Sequence, residues 1–153
     1  MRPAVSDGGP VRAAFAALEV KDLDAFLALL TDNAVLVDPH YPHEQMVGKA
    51  AIADGMAWMF RTMEALRFEA IGTFSSADGT RLAVELVAPH IGPGHRAVEI
   101  PRLFVIDLEG GRLALIKAYQ PYGPSGTIGL FLFLVRLTRR VAARLTGAGP
   151  RGR

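Results

Sequence analysis

Asp38, His40, Tyr41, His43 and Glu44 follow directly on an apolar run, Ala34-Val35-Leu36-Val37. In that run Val35 and Val37 alternate against Leu36, which predicts a strand. Pro39 ends it, because proline cannot donate to a β-ladder. A carboxylate at the lip of an apolar pocket has its pKa raised by desolvation and can serve as a general base. An Asp before a proline is equally what a turn cap looks like, since its side chain bonds backbone just downstream. Both readings of Asp38 stand at this point. His40 and His43 lie three apart with Glu44 adjacent, but this pattern on a loop lacks a third ligand at a fixed spacing. No metal is expected, and the two histidines are read as polar residues at the mouth of a pocket. The chain carries no glycine-rich phosphate loop and no nucleophile elbow, so nucleotide cofactors and serine hydrolysis are not supported. No cofactor is expected.

The elements that must position these groups can be read on both sides of them. Residues 1–9 are expected to be unstructured. Pro10 suits a first helical turn, and Val11, Phe15 and Leu18 recur at near-helical spacing, predicting a helix over 10–20. Asp22 is a plausible N-cap for a second helix over 22–31, closed by Thr31-Asp32-Asn33. Gly48 leads into a third helix over 49–66, with Ile52, Met56, Met59, Phe60 and Met63 as its apolar stripe. From residue 67 the period changes to two. Strands are expected near 67–75, 80–91, 95–108 and 112–120, with turns at Asp78-Gly79, Gly92-Pro93-Gly94 and Gly110-Gly111. The fold class expected is α+β: a curved antiparallel sheet wrapped around three N-terminal helices. Residues 10–126 form one domain on this reading. Residues 127–146 read as an extra amphipathic helix, with Leu130, Leu134, Leu137, Val141 and Leu145 on one face and four arginines elsewhere. Residues 147–153 read as a frayed tail.

Composition narrows the function classes. The 153 residues suit a single domain, and half of them are hydrophobic. The absence of cysteine excludes disulfides and thiolate metal sites, and a cytoplasmic location is the expectation. The first ten residues lack the apolar core of a signal peptide. Residues 1–127 hold eleven basic and fifteen acidic side chains, whereas residues 128–153 hold six arginines and no acid. An acidic body argues against nucleic-acid binding, which needs a basic surface. The basic stretch is expected to dock on the body or a partner subunit, and otherwise to lie on an anionic membrane surface.

Several segments resemble the nuclear transport factor two-like superfamily, which includes ketosteroid isomerases, polyketide cyclases of the SnoaL type and small epoxide hydrolases. They are Asp22-Leu23-Asp24 through Leu29, Ala34 to Pro39, Gly48-Lys49-Ala50-Ala51-Ile52 and Gly111-Arg112, and the resemblance covers roughly residues 10–122. It implies a cone-shaped α+β fold around an internal cavity. It places Asp38 on the isomerase general base. The isomerase oxyanion-hole tyrosine corresponds to Ala14, and its protonated aspartic acid to Arg102 or Pro101. Both donors are thus replaced. The resemblance also puts the face of Val98, Ile100, Arg102 and Phe104 on the cavity side, with Ile116, Ala118 and Gln120 lining it from the last strand. Arg102 could then pair with Asp38, or point outward through a bulge after Pro101.

These readings give a cofactor-free enzyme acting on a hydrophobic small molecule by isomerisation, cyclisation or epoxide opening. Asp38 would be the base, with Arg102 or His40 stabilising the developing charge. Glu99 and His90 are further possible partners. Phe15, Tyr41, His43, Met56, Met59, Phe60, Ile100, Phe104, Ile116, Ala118 and Gln120 would contact substrate. The competing reading is a non-catalytic carrier using the same cavity. A homodimer is expected through the outer sheet face, on the side taken to carry Leu113, Leu115, Lys117 and Tyr119.

Overall fold

A computed structural model describes residues 9–92 and 94–120, together with Leu134 and Leu137. The elements in chain order are α1 (Gly9–Glu19), α2 (Leu23–Ala28), β1 (Leu30–Val37), β2 (Gln45–Val47), α3 (Gly48–Thr62), β3 (Glu69–Ser75), β4 (Arg81–Gly92), β5 (Arg96–Glu109) and β6 (Arg112–Tyr119). The strands form one sheet in the order β2-β1-β6-β5-β4-β3. Strands β3 to β6 are the antiparallel meander that the period-two pattern predicts. The three helices and the curved open sheet make the cone-shaped α+β fold. Phe26, Leu30, Ile52, Met56, Leu66, Leu86, Ile106 and Leu113 are its fully buried large side chains. Each contributes about 1.5–3 kcal/mol by leaving water.

The helix ends are set by specific contacts. Lys21 has φ of 58°, and the amides of Lys21 and Asp22 return to the carbonyls of Leu18 and Ala17, closing α1 with a left-handed turn. The Lys21 ammonium crosses to α3 and donates to the carbonyls of Phe60 (3.0 Å) and Met63 (2.6 Å). A cation there offsets the negative end of the helix dipole. Asp22 caps α2 by accepting from the Ala25 amide at 2.9 Å.

The boundaries depart from the sequence pattern where tertiary pairing overrides periodicity. The second helix stops at Ala28 and not near residue 31, because Leu30 already pairs with Leu113 and the Leu113 amide donates to the Leu29 carbonyl. The third stops at Thr62 and not at residue 66, because the Glu64 and Ala65 amides bond the Ile91 carbonyl. Strand β1 therefore begins at Leu30, and it runs parallel to β6, a pairing that no local pattern shows. Residues 45–47, to which the sequence pattern assigns no element, are strand β2, paired antiparallel to β1 with Leu36 opposite Met46.

Leu113 corrects the expected outer face. It is fully buried in the core. Leu108 pairs with Leu113 and Asp107 with Leu115, so Ala114 is an extra residue that shifts the alternation. Leu113 and Ile116 thus both face inward, whereas Leu103 and Tyr119, paired across β5 and β6, are exposed on the other face. The expected helix over 127–146, the tail over 147–153 and residues 1–8 lie outside the described residues, apart from helical Leu134 and Leu137, while Gly9, expected to be unstructured, begins α1. Among the described residues no helix is long and apolar enough to cross a membrane.

Candidate active site

Strand β1 delivers Asp38 to the concave side of the sheet, one residue past its end. The Asp38 amide donates to the Glu44 carbonyl at 2.8 Å, which closes the loop 38–44 between β1 and β2. The carboxylate is only 3 % exposed. Arg102, inward-facing on β5 and 9 % exposed, donates through Nη1 to Asp38 Oδ2 at 2.6 Å. Arg102 therefore points into the cone; the alternative outward orientation is not adopted. Asp38 Oδ1 accepts from the His40 amide at 3.0 Å and lies 2.7 Å from His40 Nδ1. One oxygen makes the turn contact expected of an Asp before a proline, and the other meets Arg102, with Asp38 lining the pocket.

The hydrogen positions follow from these contacts. A lone pair on His40 Nδ1 facing a carboxylate oxygen at 2.7 Å would be repulsive, so Nδ1 carries the proton and donates to Asp38. Gln120 Nε2 stands 3.1 Å from that same Nδ1, and Gln120 Oε1 is buried with no partner among the described residues. Turning the Gln120 amide over removes the donor-donor contact and places its oxygen toward His40. Arg102 keeps one buried donor, Nε, with no partner among the described residues. Its guanidinium also lies over the Phe104 ring, 5.9 Å from the centroid.

Around this cluster the walls are apolar. Val11, Ala14, Phe15 and Leu18 of α1, Phe26 of α2, Leu36 of β1 and Met56 and Met59 of α3 close one side. Phe68, Phe104, Ile106, Leu113 and Ile116 close the other, and the polar members are Asp38, Tyr41, His90 and Arg102. The space open to the centre of a water-sized sphere is about 40 Å³. Tyr41 donates its hydroxyl to Met59 Sδ at 2.9 Å, with Met56 Sδ at 3.7 Å, and its ring tilts against Trp58. Burial first, and then the Asp38 charge, raise the Tyr41 phenol well above its ordinary range. It acts as a neutral hydroxyl. His90 sits 3 % exposed on β4, its Nδ1 facing the Arg67 amide at 3.4 Å and its ring meeting Phe68 edge-on. Burial first, and then the Arg102 charge, push its pKa down to about 4. The imidazole is neutral at pH 7, with its proton on Nε2.

The structure thus brings together Asp38, Arg102, Phe15, Tyr41, Met56, Met59, Phe104 and Ile116 in one pocket, with His40 and Gln120 bonded at its edge. Other expected contacts lie elsewhere. His43 is exposed in the 38–44 loop. Phe60, one position on from Met59 and therefore turned about 100° around α3, packs half-buried against the core without lining the pocket. Ile100 does the same on β5, and Ala118 is buried in the core opposite Phe104 without lining the pocket. The pocket also uses residues that the sequence did not single out for it. Phe68 is the main one; it precedes β3, where its parity with inward Ala70 was the available signal. Leu113 was masked by the Ala114 bulge.

The buried Asp38–Arg102 pair sits among the apolar walls of an α+β cone. Residues 11–116 match the model of the SnoaL-like domain, and the chain belongs to that family. Its structure is similar to that of a candidate polyketide cyclase from Pseudomonas putida KT2440, at 26 % identity, covering 74 % of this chain and 89 % of that one, with a TM-score of 0.62. A candidate polyketide cyclase from Xanthomonas campestris pv. campestris shares the fold at 22 % identity, covering 75 % and 88 %, with a TM-score of 0.65. A candidate isomerase from Bacillus subtilis does so at 24 % identity, covering 72 % and 82 %, with a TM-score of 0.65. No curated protein matches the sequence.

Proposed function

We propose that the chain is a small-molecule isomerase or cyclase that works by proton transfer next to a carbonyl. The observation that carries this is Asp38, held between Arg102 and His40 at the edge of an apolar pocket. A free lone pair of the Asp38 carboxylate takes a proton from the carbon α to the carbonyl. The C–H electrons form the enolate double bond, and the carbonyl π electrons move onto its oxygen. Arg102 supplies a positive charge and an unpartnered Nε–H for that oxygen. Neutral His90, with a proton on Nε2, is a second donor to the same pocket, as a neutral imidazole can be. Where the substrate carries a β,γ double bond the enolate is a dienolate and recovers the proton at its γ carbon, which is isomerisation; otherwise it attacks an internal carbonyl, which closes a ring. In ring closure the proton held by Asp38 passes to the new alkoxide. His40, donating Nδ1–H to Asp38, holds the carboxylate in place.

The charge-stabilising half of this scheme is tested with 2-naphthol, whose absorbance reports its ionisation and whose oxyanion resembles an enolate. Bound to the wild-type chain it should ionise at lower pH than when bound to Arg102→Met. Equal ionisation in the two would remove Arg102 from the mechanism.

A further inference from the structure

The polar pocket is too small for the molecule it would have to serve. A space of about 40 Å³ holds little more than water, whereas sites for organic ligands run to about 300–1,000 Å³. Beside it lies a groove of about 540 Å³, between α1 and the concave side of β3 and β4. Val11, Phe15 and Phe68 line both spaces. Phe15 and Phe68 stack with centroids 5.0 Å apart and planes 20° apart, so the partition between the spaces includes a pair of aromatic rings. Neither ring is fully buried. The backbone beneath them is fixed, because Glu19 Oε1 accepts from the Phe68 amide at 2.8 Å. Opening the partition therefore takes side-chain rotation and no change of fold.

The far wall of the groove shows exposed concave face among the described residues. Ala70 pairs directly with Leu86, so both face the concave side. Leu86 is fully buried, yet Ala70 is exposed. Thr73, Leu82 and Val84 continue that wall, and Ala16 of α1 is exposed opposite them. A concavity of this size, largely apolar but with Arg12, Glu19 and Thr73 among its lining and joined to a buried charged pair, accommodates a molecule with an extended, mainly apolar body and a polar end at that pair.

We propose that the groove is the second half of the binding site. It holds the apolar body of a substrate whose carbonyl or hydroxyl end passes between Phe15 and Phe68 to reach Asp38 and Arg102. The inference rests on the pocket being the reactive end. The groove sets specificity by length and width, and the Phe15–Phe68 pair sets which end can enter.

Calorimetric titration of the full chain with 4-ethyl-, 4-butyl- and 4-hexylphenol tests it. Wild-type affinity should rise roughly two- to fourfold per added methylene. Ala16→Trp and Ala70→Trp each replace an exposed alanine that lines the groove and not the pocket. Each should reduce hexylphenol affinity at least about tenfold more than ethylphenol affinity. Arg102→Met should instead weaken all three phenols by a similar factor. No chain-length dependence in the wild type, or the same dependence in both tryptophan variants, overturns the inference. A flattened dependence in those variants with no effect of Arg102→Met supports the groove and overturns the assignment of the pocket.

Discussion

Asp38 and Arg102 are 64 residues apart in the chain and meet at 2.6 Å inside the sheet, with neither side chain more than 9 % exposed. Burying two charges costs several kcal/mol per ion, and the pair recovers it only while both partners are present. Removing one should therefore do more harm than removing both. Arg102→Met is expected to destabilise the chain by about 3–5 kcal/mol, because it leaves a buried carboxylate with only His40. The double variant Asp38→Asn/Arg102→Met should recover a large part of that loss. Urea unfolding of the wild type, both single variants and the double variant measures the coupling. Strict additivity would contradict the buried pair.

For a lone carboxylate in a pocket, Asp38→Asn would leave stability nearly unchanged. With Arg102 bonded to it, the same substitution strands a guanidinium, and a lower melting temperature is expected.

Gly55 offers a test of packing on α3. In an exposed helix, replacing it with alanine gains about 1 kcal/mol. Here an added Cβ would collide with Met46 Sδ of β2. Overpacking of that kind costs about 1–3 kcal/mol, so Gly55→Ala is expected to be neutral to destabilising by up to about 2 kcal/mol. A melting temperature raised by the substitution would show that Met46 moves aside freely.

His90 makes stability depend on pH. Its folded pKa, about 4, lies below the ordinary histidine value of about 6.5. The unfolded chain therefore binds a proton that the folded chain refuses, and stability falls as pH drops through this window. The contribution is fully present above about pH 6.5 and amounts to a loss of about 2–3 kcal/mol by pH 4.5. The stability difference between wild type and His90→Gln, followed by urea unfolding from pH 7.5 to 4.5, should change by that amount in favour of the variant. A difference independent of pH would show that His90 is protonated as readily as a free histidine.

The fold was legible because local patterns and tertiary demands agree over most of the chain. The apolar stripe of α1, the Asp22 cap and the period-two segments after residue 67 each specify one element. What could not be read depends on distant partners. The parallel pairing of β1 with β6 recruits Leu30 into a strand, although the residues before it are helical. The Ala114 bulge reverses the parity of Leu113, and no residue type in Arg112-Leu113-Ala114-Leu115 signals it. In the site, Asp38 was visible as a carboxylate ending an apolar strand. Its bond to Arg102 was only one of two possibilities until β5 was placed. Phe68 had only its parity with Ala70 to mark it, because its place in the pocket comes from stacking on Phe15, on a helix some fifty residues earlier.

The central claim is proton abstraction by Asp38, and its most direct measurement is solvent exchange on a simple ketone. In deuterated buffer, the α-protons of 2-tetralone are followed by proton NMR with the full-length wild-type chain and with Asp38→Asn, both well below their melting temperatures. The wild type is expected to accelerate deuterium incorporation over buffer, and Asp38→Asn to lose at least about a hundredfold of that acceleration, the scale of a general base. Equal rates in the two proteins, or binding of 2-tetralone with no acceleration by the wild type, would contradict the catalytic assignment; the latter would leave a binding protein in its place.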